Sequence, residues 1–488
     1  MSAIKYYDTT SGTWKYLAQG VKGDKGEKGD IGLTGPTGAV GVGVVAGGTT
    51  GQALVKRSNT DYDTQWQAIT TGVSSVDGLT GAVSLTSNYD AKGSSAIKSK
   101  FDGFLARATG PLKAFPTADP SLISSTSNTA ISGATRYAYD SGKFYFRGLT
   151  SSVIINANGT PCYRNTNYGG AKTFWVEFDY YGSNFDVLYN SLGTNAVQIW
   201  VWINGVPTTD SAVRPTTSYN VNNYYNVELP STDQRRIRIM LTQADFGGIG
   251  LKDATETIYP VEQNLLKVAL FDGSWLDGYQ GGATNTSDQL SIQFGEMINA
   301  DYHNVSIGGT GYVRGTNVDP ILGYVTDATA GGGNWCAPTR LSILTTINPD
   351  LVIFLGTTND DGYTGSTYQL SAHATYVYNY IATNLPNTKV IVFTRGSNAL
   401  SGSNYSLNAS TVYSAALAAP NVIGAVNIYG EGWVTGTYTD STSTGTLGNG
   451  QIYVSGADYH LNAAGNKYYA ARMFNRVFDI IKNYTRSQ

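Results

Sequence analysis

Four short polar clusters in the C-terminal half carry the residue types that do chemistry. The first is Phe271-Asp272-Gly273-Ser274-Trp275-Leu276-Asp277-Gly278, directly after an apolar run. A serine on a sharp strand-to-helix turn presents its hydroxyl at a sheet edge, with backbone N–H groups pointing the same way. The second, Ser306-Ile307-Gly308-Gly309-Thr310-Gly311, has glycines that let the backbone approach a bound carbonyl and offer it an N–H. The third, Gly356-Thr357-Thr358-Asn359-Asp360, adds an amide donor. The fourth, Asp458-Tyr459-His460-Leu461-Asn462, supplies one of only 3 histidines. A serine hydroxyl is a weak nucleophile at neutral pH and needs a base, which imidazole suits because it titrates close to that pH. The tetrahedral intermediate of acyl transfer then develops a negative oxygen that needs preorganised donors. Serine, glycine, asparagine and histidine together therefore point to nucleophilic acyl transfer.

Positioning these clusters is the task of the elements around them. From 263 onward, apolar runs at 265–271, 303–307, 351–355, 389–394 and 422–428 read as buried strands. Helical stretches at 287–299, 338–347, 368–385 and 463–482 lie between or after them. Such alternation predicts a parallel sheet with helices on both faces. Ligands in such folds sit beyond the carboxyl ends of the strands, where the first three clusters fall.

The four ordered clusters resemble the SGNH (GDSL-type) hydrolase family, over about 265–488. The resemblance implies that Ser274 is the nucleophile, Gly309 and Asn359 are oxyanion donors, His460 is the general base and Asp458 orients His460. It implies no cofactor and no metal. Three departures stand out. The family's Gly-Asp-Ser is here Asp272-Gly273-Ser274, which displaces the aspartate that normally braces the turn. Its Gly-x-Asn-Asp has one extra residue here, and its Asp-x-x-His is here Asp458-Tyr459-His460. One intervening residue starts the Asp458 and His460 side chains on opposite sides of an extended segment. A backbone carbonyl, such as that of Ala457, would then hold the ring in a Ser–His dyad. His303 and His373 read as structural, Asp360 and Asp361 as solvated loop residues, and Cys162 and Cys336 as free thiols.

The N-terminal half is of another kind. Glycine recurs every third residue at 20, 23, 26, 29, 32, 35, 38 and 41. That period belongs to a collagen-like triple helix, whose shared axis admits only glycine, and it predicts a homotrimer. Gly51-Gln52-Ala53-Leu54-Val55-Lys56 with Asp61-Tyr62-Asp63-Thr64-Gln65-Trp66, and Ser75–Leu85 with its Asp-Gly and Thr-Gly turns, read as small hairpins. With the glycine repeat before them, these phrases resemble bacteriophage tail fibre and minor tail proteins, over roughly the first 90 residues. Residues 89–108 read as a short helix carrying Ile97, Phe101 and Phe104. Many short alternating runs between 126 and 262 predict an antiparallel sandwich. Trp200 and Trp202 read as its core, a carbohydrate platform being the other use for such aromatics.

Composition fits this picture. The 488 residues include 58 Gly and 35 Tyr, only 14% are charged, and the net charge is −3 with no basic block. A nucleic-acid partner is therefore not expected. No apolar run reaches the length of a membrane span, no N-terminal export signal is read, and two distant cysteines make no disulfide framework. The expected fold class is multidomain. A virion-attachment segment at 1–19 leads to a collagen-like repeat at 20–43 and a hairpin and short-helix stalk at 44–125. A β-sandwich at 126–262 and an SGNH-hydrolase-like α/β domain at 263–488 follow. What the resemblances imply is a homotrimer on the phage tail, extracellular in the virion, partnered by tail or baseplate proteins. Its distal end would bind host surface glycan and hydrolyse esters, O-acetyl groups foremost. The rival expectations are a receptor-binding fibre with an inactive domain and a bacterial surface esterase on a collagen-like stalk.

Overall fold

The computed structural model describes residues 5–16, 47–50, 52–68, 75–76, 79–80, 94–108, 116–166, 172–194, 196–277, 285–356, 358–363, 365–394, 404–435, 449–454 and 460–487. The chain divides into two compact units, Met1–Tyr89 and Asp90–Gln488. The glycine repeat at 20–43 lies outside the described residues.

The first unit holds antiparallel pairs: β1 (Lys5–Asp8) with β2 (Thr13–Tyr16), β3 (Gln52–Lys56) with β4 (Thr64–Ala68), and β5 (Ser75–Val76) with β6 (Leu79–Thr80). Two-stranded ribbons of this length bury little apolar surface.

The second unit opens with a helix, Ser94–Arg107. Its Ile97, Phe101 and Phe104 are buried in the core that also contains Phe474 and Ile481 of the last helix, Ala463–Ser487. Phe101 packs edge-on to Tyr484, and Lys100 Nζ lies 2.7 Å from Asp350 Oδ2. The sequence grouped this helix with the stalk. Its apolar stripe is instead buried on the α/β domain, where burial of Phe-sized side chains contributes about 1.5–3 kcal/mol each.

Residues 125–259 form an antiparallel sheet folded over one core. In chain order its strands are β7 (Ser125–Ser127), β8 (Thr135–Ala138), β9 (Tyr145–Arg147), β10 (Ser151–Ile155), β11 (Pro161–Asn165) and β12 (Phe174–Ser191). They continue with β13 (Gln198–Ile203), β14 (Val206–Pro207), β15 (Asn222–Thr242), β16 (Ala244–Leu251) and β17 (Thr257–Tyr259). The long strands β12 and β15 pair along nearly their whole length, with a register shift between Gly182 and Asn184. On either side of that irregularity, Phe174, Val176, Phe178 and Tyr180, then Phe185, Val187 and Tyr189, alternate into the same core.

The opposite face of β12, β13 and β15 carries Trp175, Trp200, Trp202 and Met240. These join Leu290, Phe294 and Met297 of the helix Leu290–Ile298 in one buried cluster. The Trp175 indole N–H donates to Tyr302 Oη at 2.7 Å. Trp200 and Trp202 are thus buried as expected of core residues and offer no exposed platform.

The α/β domain has five parallel strands, β18 (Lys267–Asp272), β19 (Asp301–Asn304), β20 (Leu351–Leu355), β21 (Lys389–Phe393) and β22 (Val422–Val426), in the order β19-β18-β20-β21-β22. Alternate residues of β18 feed two cores. Val268 and Leu270 pack with Leu290–Ile298 and the last helix. Ala269 and Phe271 pack with the helices Pro338–Ile347, Leu370–Asn384 and Tyr405–Ala418. Because β18 is the first strand and lies between β19 and β20, its carboxyl end is the point where the strand order reverses. Open sheets bind ligands at that point.

Candidate active site

At the carboxyl end of β18 the chain turns through Gly273 and enters the short helix Ser274–Asp277. The neighbours of β18 bring the second and third clusters to its two sides, 308–310 after β19 and 358–360 after β20. The turn is tight. A methyl group on Gly273 would lie 2.2 Å from Asn359 Nδ2 and 2.8 Å from Thr310 O, so only glycine lets both loops close on it.

Ser274 and His460 meet, with Ser274 Oγ 2.7 Å from His460 Nε2. Both are partly exposed. For Nε2 to accept the serine proton, the ring must carry its own proton on Nδ1, which faces away from Ser274. Asp458 and Ala457, the two candidates for holding that proton, lie outside the described residues. Asn359 Nδ2 donates to Thr310 O at 2.9 Å, and the amide has a second N–H to offer. Gly308 is the glycine that approaches Ser274, since a Cβ on it would lie 3.9 Å from Ser274 Cβ. Its N–H already donates to Asp277 Oδ2 at 2.7 Å. Gly309 follows in the left-handed region, at φ +73°, with its Cβ direction 3.2 Å from Gly331 N.

Three acidic residues organise this ground, and sequence reasoning did not give them that task. Asp272 Oδ2 accepts the N–H of Leu276 at 2.9 Å, so it braces the turn from two residues before the serine. The displaced aspartate therefore still holds the first turn of the Ser274–Asp277 helix, from the position before Gly273. Burial pushes its carboxyl from 3.8 up to about 7, aided by the charge of Asp277 and opposed by the N–H groups of Leu276, Gly273 and Trp275. Asp277 ties the serine's helix to the glycine loop through Gly308. Asp360, read as solvated, is fully buried. It accepts the N–H groups of Tyr312 and Val313 at 3.0 Å and of Arg314 at 3.2 Å, fixing the chain just after the glycine loop.

The buried Arg340 holds the same loop from behind. It donates to Thr310 Oγ1 at 3.1 Å and to Val305 O at 3.0 Å, with its guanidinium 4.6 Å from the Phe271 ring centre. Burial raises the thiol of Cys162 to about 12 and that of Cys336 well above the ordinary value, so neither is a thiolate at neutral pH. His303 and His373 are buried away from Ser274, in β19 and in the helix Leu370–Asn384. Among the described residues no group of three or more His, Cys, Asp or Glu side chains gathers as a metal site needs. Among them, too, no helix is long and apolar enough to cross a membrane.

One expected result follows from Asp272. Its folded-state value near 7 exceeds the ordinary 3.8. The stability this group contributes is therefore full below about pH 4 and is lost as pH rises through about 7. Asp272→Asn should remove that slope from urea midpoints measured across pH. It keeps an acceptor for Leu276, so the unfolding free energy at pH 8 should change by only about 1 kcal/mol. An unchanged slope would mean that Asp272 does not titrate there.

No protein-family model and no curated protein matches this chain. Solved structures are similar in form to part of the chain. A family two carbohydrate esterase from Cellvibrio japonicus has 13% identity and a TM-score of 0.47, covering 73% of this chain and 99% of its own. The salicylyl-acyltransferase SsfX3 from a tetracycline biosynthetic pathway has 11% identity and a TM-score of 0.48, covering 71% and 98%. A putative GDSL-like lipase from Bacteroides ovatus has 11% identity and a TM-score of 0.46, covering 72% and 98%. At these values the likenesses carry neither substrate nor mechanism to this chain.

Proposed function

We propose that the chain is a serine esterase of the SGNH type, carried as the distal part of a homotrimeric phage tail fibre. The ester it cleaves is an O-acetyl group on host surface glycan. The observation that carries the hydrolase reading is the Ser274–His460 contact of 2.7 Å at the reversal point of the sheet. The fibre reading rests on the glycine period at 20–41 and the hairpin phrases after it.

In this mechanism Ser274 Oγ attacks the ester carbonyl carbon while its proton passes to His460 Nε2. The carbonyl π pair moves onto oxygen, which takes hydrogen bonds from the second N–H of Asn359 and from the backbone N–H of Gly309. Collapse breaks the bond to the sugar oxygen, and His460 returns the proton to that leaving group. Water, deprotonated by His460, then attacks the acyl-serine and releases acetate and Ser274. Asp458 or a nearby carbonyl holds the Nδ1 proton throughout. Incubating the protein with host envelope should release acetate. Intact envelope with no released acid, alongside inertness to p-nitrophenyl acetate, would leave a binding fibre instead.

Two further outcomes are expected. Asn359→Ala removes one oxyanion donor among several and should lower kcat by roughly 100- to 1000-fold with KM little changed. An equal loss in KM alone would place Asn359 in ground-state binding. The full-length protein should weigh as a trimer by mass photometry, and a truncation starting after residue 43 should trimerise less stably. A monomer at full length contradicts the fibre reading.

A further inference from the structure

At the amino-terminal end of the parallel strands, the outer face of the antiparallel sheet comes out from under the helix Leu290–Ile298. A cavity of about 310 Å³ opens there between the two domains. Its floor is built from cross-strand pairs. Glu177 of β12 stands opposite Arg238 of β15, and Asp179 stands opposite Arg236. Arg238 lies 4.7 Å from the Trp175 ring centre and 4.4 Å from that of Trp202, and it pairs with Glu296 at 2.6 Å. Arg147 pairs with Glu177 at 2.6 Å and donates to Asn299 Oδ1 at 2.7 Å. Arg236 stands at the mouth, its side chain 39% exposed, bonded to Asp179 and Glu177. Gln263 lines the mouth from the segment leading into β18.

Three guanidinium groups and the carboxylates of Glu177 and Glu296 line the cavity, and Asp179, outside the lining, pairs with Arg236, so every lining cation has a carboxylate partner. A free anion gains nothing from such a wall, because each cation already holds a carboxylate. A molecule that both donates and accepts hydrogen bonds at closely spaced points gains most, and neutral sugar hydroxyls do that. The side chains are fixed before any ligand arrives, by stacking on two tryptophans and by bidentate pairing, which lowers the entropy cost of binding. The volume sits at the small end of the roughly 300–1,000 Å³ span of small-molecule sites. It suits one sugar ring rather than a chain.

We infer that this cavity binds a neutral sugar residue, at a site separate from Ser274. Asn299 precedes β19 and Gln263 precedes β18, whereas Ser274 follows the end of β18. Six residues of strand separate the two edges, roughly 20 Å. A glycan held here leaves the serine edge open, and the inference stands whether or not Ser274 turns over an ester.

Saturation-transfer NMR on the full-length protein tests it, with methyl glucoside, methyl galactoside and methyl N-acetylglucosaminide as probes. Transfer to at least one probe is expected. It should disappear in Arg236→Ala, which opens the wall, and in Gln263→Trp, which fills the mouth, while p-nitrophenyl acetate turnover stays within twofold or so in both. Circular dichroism and the urea midpoint identify a variant that fails to fold, and the other variant then decides. No transfer to any probe in the wild type overturns the site. Transfer that survives in a folded Gln263→Trp places the sugar elsewhere and overturns it too. Binding of methyl glucuronide but of none of the neutral probes would refute the charge argument.

Discussion

Ser274→Ala and His460→Ala are each expected to lower p-nitrophenyl acetate hydrolysis by roughly 10⁴-fold or more. The cause is the single proton path between Ser274 Oγ and His460 Nε2, 2.7 Å apart. Without His460 the hydroxyl keeps its proton and attacks poorly. Without Ser274 the imidazole activates only water. Because the two act as one unit, the double variant should be little worse than either single variant, with residual rate owed to the oxyanion donors. Losses that multiply would show two independent contributions and break the proposed mechanism. Neither change removes buried apolar surface, so the urea midpoint should hold.

The second large effect concerns a buried ion pair that ties the long excursion between β19 and β20, through Asp319, to His373 of the helix Leu370–Asn384 after β20. Asp319 and His373 are both fully buried, with His373 Nε2 2.9 Å from Asp319 Oδ2. The Nδ1–H of His373 donates to Gln369 O at 2.9 Å. With Nδ1 protonated against a carbonyl and Nε2 against a carboxylate, the ring is an imidazolium. Burial works to lower its pKa, and the bonds to Asp319 and Gln369 overcome this and raise it above 6.5. Burial works to raise Asp319, and His373 with the N–H groups of Leu322 and Ile321 brings it below 3.8. Asn334 Nδ2 also donates to this carboxylate.

Asp319→Ala or His373→Ala leaves the other charge buried and unpaired, and should cost about 3–5 kcal/mol in urea unfolding. The pH sense follows from the two directions. The His373 contribution is full below about 6.5 and fades as pH rises through its raised folded-state value. The Asp319 contribution is present above about 3.8 and fades as pH falls through its lowered value. The pair therefore stabilises most between those limits, and either single variant should flatten both ends of the profile. A cost under about 1 kcal/mol would mean the pair is solvated in solution. Activity should fall as well. This excursion brings Gly331 against the Gly308–Gly309 loop beside Ser274, where a methyl on Gly331 would lie 2.1 Å from Gly308 O.

Much of the α/β domain was legible because its strands are continuous apolar runs. The run at 265–271 is the strand Lys267–Asp272, and that at 351–355 is Leu351–Leu355. The helix Pro338–Ile347 was read to the residue, starting at its proline. The helix Tyr405–Ala418 was not read. Its alanines, serines and asparagines give a weak periodic signal, and tertiary burial of Val412, Ala415 and Ala416 selects the helix instead. The Ser274–His460 contact was legible because residue type and position speak together, Ser274 following a strand and His460 standing just before the last helix. Asp272 and Asp360 were not, since their roles depend on which backbone N–H groups the loops aim at them. Nor did periodicity say that Trp175, Trp200 and Trp202 would cover one domain with another. Alternation tells the two faces of a strand apart but does not say what packs on each.

The central claim is that Ser274 takes the acyl group. The most direct test is intact-protein and peptide mass spectrometry after rapid acid quench of the protein mixed with p-nitrophenyl acetate. An acetyl group on the peptide containing Ser274 is expected, absent in Ser274→Ala and formed far more slowly in His460→Ala. Hydrolysis that continues with no acyl group on Ser274, or with the label on another residue, would contradict it.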